Sequence, residues 1–190
     1  MSLDSKGITI REDISDMLKT RKIKNISRVK NDFAMKKRKQ KNPTIEDSEM
    51  FTYIGDDVVI TLEGNKEIVF KTNTLKYNVS VSLKDEEPYH SDFTKDSYIS
   101  YKDEKYSNPN KWEKLIDDKV KNITVFLDSH KKHRTMHPDS NEVAILFETE
   151  NSNFIISIGS KGLEYSTAMS IFQLEDADSR FFEGREKKHI

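Results

Sequence analysis

A chain of 190 residues with 32 Lys and Arg against 33 Asp and Glu has a net charge of −1, so no global field draws it to nucleic acid or an anionic membrane. It holds no cysteine, which excludes disulfides, thiolate metal sites and a cysteine nucleophile. No apolar run approaches the length that spans a bilayer and no signal-peptide pattern opens the chain, so no membrane contact and a cytoplasmic location are expected. The charge is nevertheless uneven. Residues 1–41 contain 13 basic and 5 acidic side chains, a pattern that marks either a partner-binding end or a salt-bridged contact with the acidic remainder.

The first predicted element is a short helix over residues 11–20, capped by Asp13, with Ile14, Met17 and Leu18 on one face. Lys22 to Val29 reads as a strand in which Ile23 and Ile26 fall out of phase, the sign of a bulge or an edge strand. Residues 34–48 read as a loop centred on Lys36, Lys37, Arg38, Lys39 and Lys41 and closed by Pro43. Val58 to Phe70 alternates apolar and polar positions about Gly64-Asn65 and predicts a hairpin. Tyr77 to Leu83 adds a strand with Val79, Val81 and Leu83 on one face. The polar stretch that follows carries Tyr89, Tyr98, Tyr101 and Tyr106 and is expected to be a connector packed on a surface.

The second half repeats the first. Leu115, Lys119, Val120, Lys121, Asn122, Ile123 and Thr124 match Leu18, Lys22, Ile23, Lys24, Asn25, Ile26 and Ser27. Val143, Ile145 and Phe147 then answer Val58, Ile60 and Leu62, and Phe154-Ile155-Ile156 answers Ile68-Val69-Phe70. Such self-similarity indicates an internal duplication. The predicted second copy is a helical turn in which Trp112, Leu115 and Ile116 share a face, a strand over Lys119 to Asp128, a loop over 129–141, a hairpin from Glu142 to Ile158, and a last strand within Leu163 to Leu174. Trp112 is expected to be a core anchor. No β-α-β alternation appears, so the expected fold is mainly β, with α+β as the alternative. It consists of two related antiparallel modules, 11–83 and 108–175, each preceded by a short helix and packed as one unit. Residues 84–107 are the expected connector and 176–190 a charged tail.

Two stretches suggest chemistry. His130, His133 and His137 are spaced as metal ligands, but Lys131, Lys132 and Arg134 among them repel a cation, and no His-Glu-x-x-His frame supplies a general base. The second is the run Lys36, Lys37, Arg38, Lys39 and Lys41, which occupies the place in copy one that Lys131, Lys132 and Arg134 occupy in copy two. Its readings are a solvated loop, a contact for an acidic protein, and a contact for phosphate or nucleic acid. No aromatic is interleaved with these cations, which disfavours single-stranded nucleic acid. No phosphate-binding Gly loop or nucleophile elbow is present.

The pattern Trp-x-x-Leu-Ile-x-x-Lys-Val-x-x-Ile at Trp112–Ile123, followed by Glu-Val-Ala-Ile-Leu-Phe-Glu at Glu142–Glu148 and Phe-Ile-Ile-Ser-Ile at Phe154–Ile158, resembles small bacterial proteins of the immunity-protein kind. It departs from them at Asp117-Asp118, where such sequences often turn at Gly. The resemblance implies a cytosolic, non-enzymatic, β-rich protein that binds a partner such as a toxin; the basic run adds the expectation that this partner is acidic, and no cofactor is expected. Phosphate or nucleic-acid binding through the basic loops is the second expectation, and a metal-dependent hydrolase built on the histidine loop the third.

Overall fold

The alternating β-branched stretches form two five-stranded antiparallel sheets in the computed structural model, which describes residues 10–74, 78–128, 142–159 and 168–190. The first sheet contains β1 (Ile23–Val29), β2 (Val58–Leu62), β3 (Lys66–Asn73), β4 (Asn78–Leu83) and β5 (Tyr98–Ser100), in the order β4-β3-β2-β1-β5. The second contains β6 (Asn122–Asp128), β7 (Glu142–Glu148), β8 (Asn153–Ile158), β9 (Met169–Gln173) and β10 (Arg185–His189), in the order β10-β6-β7-β8-β9. Each module is therefore a four-stranded meander whose fifth strand returns beside the first. The β2–β3 turn places Gly64 and Asn65 at φ of 81° and 57°, a left-handed conformation that Gly and Asn tolerate best.

Strand pairing refines the duplication. Ile26 pairs with Ile60, and Ile123 pairs with Phe147. Ile60 therefore corresponds to Phe147, two residues along from the expected match with Ile145. A two-residue shift keeps every side chain on its face, which is why the apolar pattern does not reveal it. The next strand follows the expected match, since Ile60 faces Ile68 and Phe147 faces Phe154. The phase slip in β1 is a bulge between Ile23 and Asn25, but β1 is not an edge, because β2 and β5 flank it.

The expected connector and tail turn out to be parts of the modules. Residues 84–92 make two 3-10 turns, Lys84–Glu86 and Pro88–Asp92, before reaching β5. Residues 174–182 make the matching turns Leu174–Asp176 and Ser179–Phe182 before β10. These turns cover the outer face of each sheet. Phe181 packs on Phe126 and Phe172, with ring centroids 5.2 and 5.8 Å away, and His90 is buried beneath the turns of the first module. Neither segment has a period to read: β5 is three residues long, and β10 is Arg-Glu-Lys-Lys-His throughout.

The main core lies between the sheets, where Phe70 meets Phe147 edge-on at 5.5 Å. Helix α1 (Glu12–Thr20) buries Ile14 and Leu18 in it. Its N-cap is Arg11, without a side-chain cap, rather than the expected Asp13. The Arg11 guanidinium draws the Asp13 carboxylate away, binding it and Glu86 at 2.8 Å each. The modules also join through their backbones: Ile23 N–H donates to Asp118 O, Asp117 N–H to Ile23 O and Val120 N–H to Leu18 O. Three further short helices complete the part of the fold that bears on function, α2 (Asp32–Lys41), α3 (Met50–Tyr53) and α4 (Pro109–Trp112).

Candidate functional site

The basic run expected to be a loop is helix α2. Asn31 caps it, its side chain accepting from Ala34 N–H at 2.9 Å, and Asp32 sits in the positive first turn. Ala, Met, Lys, Arg and Gln are all strong helix formers, and Arg38, Lys39 and Lys41 complement the negative end of the helix. The expectation failed because α2 has almost no apolar face. Met35 is its only buried residue, and without a periodic apolar stripe a helix reads as loop.

Two of the predicted binding residues are tied down. The Arg38 guanidinium lies 4.3 Å above the Tyr53 ring, and Lys39 forms an ion pair with Asp47. Lys36, Lys37 and Lys41 are exposed and make no ion pair among the described residues. Beside them, one turn before Lys36 and Lys37, Phe33 is 76% exposed, the most exposed large hydrophobic side chain described. Phe33, Lys36, Lys37 and Gln40 thus share the outward face of α2. Ala34, Lys37, Arg38 and Lys41 share a flank that walls a cavity of about 190 Å³. Tyr53, Ile54 and Gly55 form its second wall, and Gly159, Ala168, Met169 and Ser170 its third. A backbone bridge holds the last two walls together, Met169 N–H donating to Gly55 O at 3.0 Å.

Behind this cavity lies Arg28, fully buried on β1. Its guanidinium donates to the carbonyls of Phe51 (2.6 Å), Thr52 (3.1 Å), Asp56 (2.7 Å) and Met169 (2.8 Å). Burial pushes its pKa down to about 10, with Asp56 and Asp57 opposing, so it remains charged at neutral pH. Sequence reasoning passed over Arg28, yet the repeat contained a signal. Arg28 stands where the second copy has the buried Val125, an inward position at which a charge needs an explanation.

A second polar cluster also went unrecognised. Asp57 accepts from His90 Nε2–H at 2.9 Å, and Tyr98 Oη lies 2.8 Å from His90 Nδ1. Burial raises the Asp57 carboxyl above its usual range, although the His90 hydrogen bond opposes this. Both imidazole nitrogens are engaged, so the cluster locks residues 84–97 onto the outer face of the first sheet, where Phe181 does the same for the second. Glu87 adds to the lock through Lys71 and through Ser82, whose hydroxyl donates at 2.5 Å. His90→Phe keeps a planar aromatic ring, slightly larger, but strips partners from Asp57 and Tyr98. We expect it to cost about 1–3 kcal/mol in urea denaturation. A cost below about 0.5 kcal/mol would show water replacing the imidazole.

His130, His133, His137, Lys131, Lys132 and Arg134 lie outside the described residues. Among the described residues no group of three His, Asp or Glu side chains is placed to hold a metal, and no helix is long and apolar enough to cross a membrane. Comparison with protein-family models, curated proteins and solved structures finds no match to this chain.

Proposed function

We propose that the protein is a non-enzymatic binding module that docks an acidic protein partner on the outward face of α2, in the manner of an immunity protein on a toxin. The observation that carries this reading is Phe33, exposed beside Lys36 and Lys37, which form no ion pair among the described residues, on a helix anchored by Met35. An exposed aromatic ringed by cations supplies both halves of a docking site, apolar area to bury and charge to steer encounter. Met35, buried beneath it, and Arg38, stacked on Tyr53 of α3, hold that face in place. Nucleic acid is the competing reading, because the same lysines neutralise phosphates.

A photo-crosslinker at position 33, used in the protein's own cells, is expected to trap one acidic protein in 1:1 ratio. Phe33→Ser with Lys36→Ser and Lys37→Ser should weaken that complex by at least about tenfold, with a slower on-rate and less salt dependence. Folding stability should move by less than about 0.5 kcal/mol, since all three side chains are exposed. Failure to trap a protein, together with duplex DNA binding that weakens steeply with salt, would establish the competing reading.

A further inference from the structure

Tyr89 is 63% exposed, second only to Phe33 among the described large hydrophobic side chains. It stands in the Pro88–Asp92 turn, its ring set edge-on against Phe93 at 4.7 Å. Carboxylates flank it. Glu86 and Glu87 pair with Arg11 and Lys71, whereas Asp85 and Asp92 are exposed and form no ion pair among the described residues. Phe33 has the opposite surroundings, since Lys36 and Lys37 beside it are exposed cations without ion pairs among the described residues. The two most exposed aromatic rings described thus carry flanking charges of opposite sign.

The two patches adjoin. Asn31, which caps α2, donates through its side-chain amide to the Asp56 carboxylate at 2.6 Å, and the next residue, Asp57, binds His90 beside Tyr89. Lys30 N–H also donates to Ser97 O at 2.7 Å, which ties the approach to α2 to the far end of the same turns. Both rings are therefore anchored at one end of the first sheet. A lone exposed aromatic needs no partner. A positive and a negative patch side by side, each with an apolar centre, are different: a two-fold rotation lays each on its opposite in a second copy. Such a pairing joins apolar area to matched charge.

We infer that a second copy of this chain covers the α2 face when no other partner does. Phe33, Lys36 and Lys37 of one copy meet Tyr89, Asp85 and Asp92 of the other, and the reverse contact forms across the two-fold axis. The inference rests on the reading of the outward face of α2 as a docking surface, and it adds a competitor there: the pair separates before an acidic partner reaches Phe33. The patches are small and their charges lie in solvent, so the pair is of the weak, transient class. Its dissociation constant is roughly 10–100 μM and rises with salt.

Sedimentation equilibrium of the purified full chain tests this. Dimer is expected to grow across that concentration range and to weaken at least about tenfold at about 1 M salt, where exposed charges are screened. Charge reversal supplies the specific test. Lys36→Glu with Lys37→Glu makes both patches negative, and Asp85→Lys with Asp92→Lys makes both positive, so neither variant should pair with itself. Mixed in equal amounts, the two variants should form a 1:1 heterodimer. Thermal melting should show both folded as the parent, since all four side chains are exposed. A parent chain that stays monomeric throughout would overturn the inference, as would variants that remain apart when mixed. Self-association unchanged by either reversal would remove these faces as its place. Tyr89→Ser separates this inference from the docking reading, because it leaves α2 intact. It should weaken the self-pair at least about tenfold while the crosslinker at position 33 still traps the acidic protein. Should that crosslinker trap only a second copy, at residues 85–92, the self-pair stands and the acidic partner falls.

Discussion

Replacing Arg28 by Met is expected to destabilise the protein by about 3–5 kcal/mol. The variant keeps much of the volume and removes a charge whose burial is itself costly. Where such a charge is paired with a carboxylate, replacing both partners by apolar residues is often neutral or favourable. Here that relief is absent, because the acceptors are the backbone carbonyls of Phe51, Thr52, Asp56 and Met169. They cannot be removed by substitution, and each buried carbonyl left without a donor costs about 1–3 kcal/mol. Lysine is no better a replacement, since one ammonium cannot span acceptors that two guanidinium nitrogens reach from opposite sides. Urea denaturation of Arg28→Met decides the point. A loss below about 1 kcal/mol would mean that water enters and satisfies the carbonyls, and that the two modules do not depend on this staple.

Trp112→Ala should cost a similar amount, about 3–5 kcal/mol, for a different reason. Trp112 ends α4, is fully buried, and lies 5.4 Å from the Phe51 ring at a 60° tilt. Phe51 belongs to α3 in the first module, so the indole is core shared by both halves. Neighbouring segments are pinned around it: Phe51 N–H donates to Tyr106 O, and the Gln173 side-chain amide donates to Lys111 O. A site so constrained collapses poorly around a void, which places the cost toward the upper end of that range. Trp112→Phe should recover more than half of the loss. A cost for Trp112→Ala under about 1 kcal/mol in chemical denaturation would contradict the burial described here.

Most of the strands were legible in the sequence and most of the site was not. Val58, Ile60, Ile68 and Phe70 alternate because one face of their hairpin meets the core, and that period of two is visible without coordinates. Trp112 showed itself through its helical phase with Leu115. Helix α2 was hidden because propensity and capping form it, with Met35 alone packing inward. Strands β5 and β10 were hidden because one is too short to show a period and the other is polar on both faces. The cavity was beyond reach for another reason. Its walls come from residues 34–41, 53–55, 159 and 168–170, which become neighbours only when β9 bridges to Gly55. No local pattern encodes that meeting.

The returning fifth strands also govern how the chain reaches this structure. β1 gains its outer neighbour only when Tyr98–Ser100 arrives, and β6 waits for Arg185–His189. Both closures come after a long excursion through three other strands, and contacts of such sequence separation slow folding. Until then each first strand offers a bare row of N–H and C=O groups, the kind of template that recruits a wrong strand. The hazard is greater in a duplicated chain, because the late strand of one module resembles a partner for the first strand of the other, in the same molecule or in a neighbouring one. The two late strands differ sharply in character: Tyr-Ile-Ser buries Ile99, whereas Arg-Glu-Lys-Lys-His is charged along its length. An exchange would set the charged strand where an apolar residue belongs, so the divergence between β5 and β10 keeps each newly made module loyal to its own last strand.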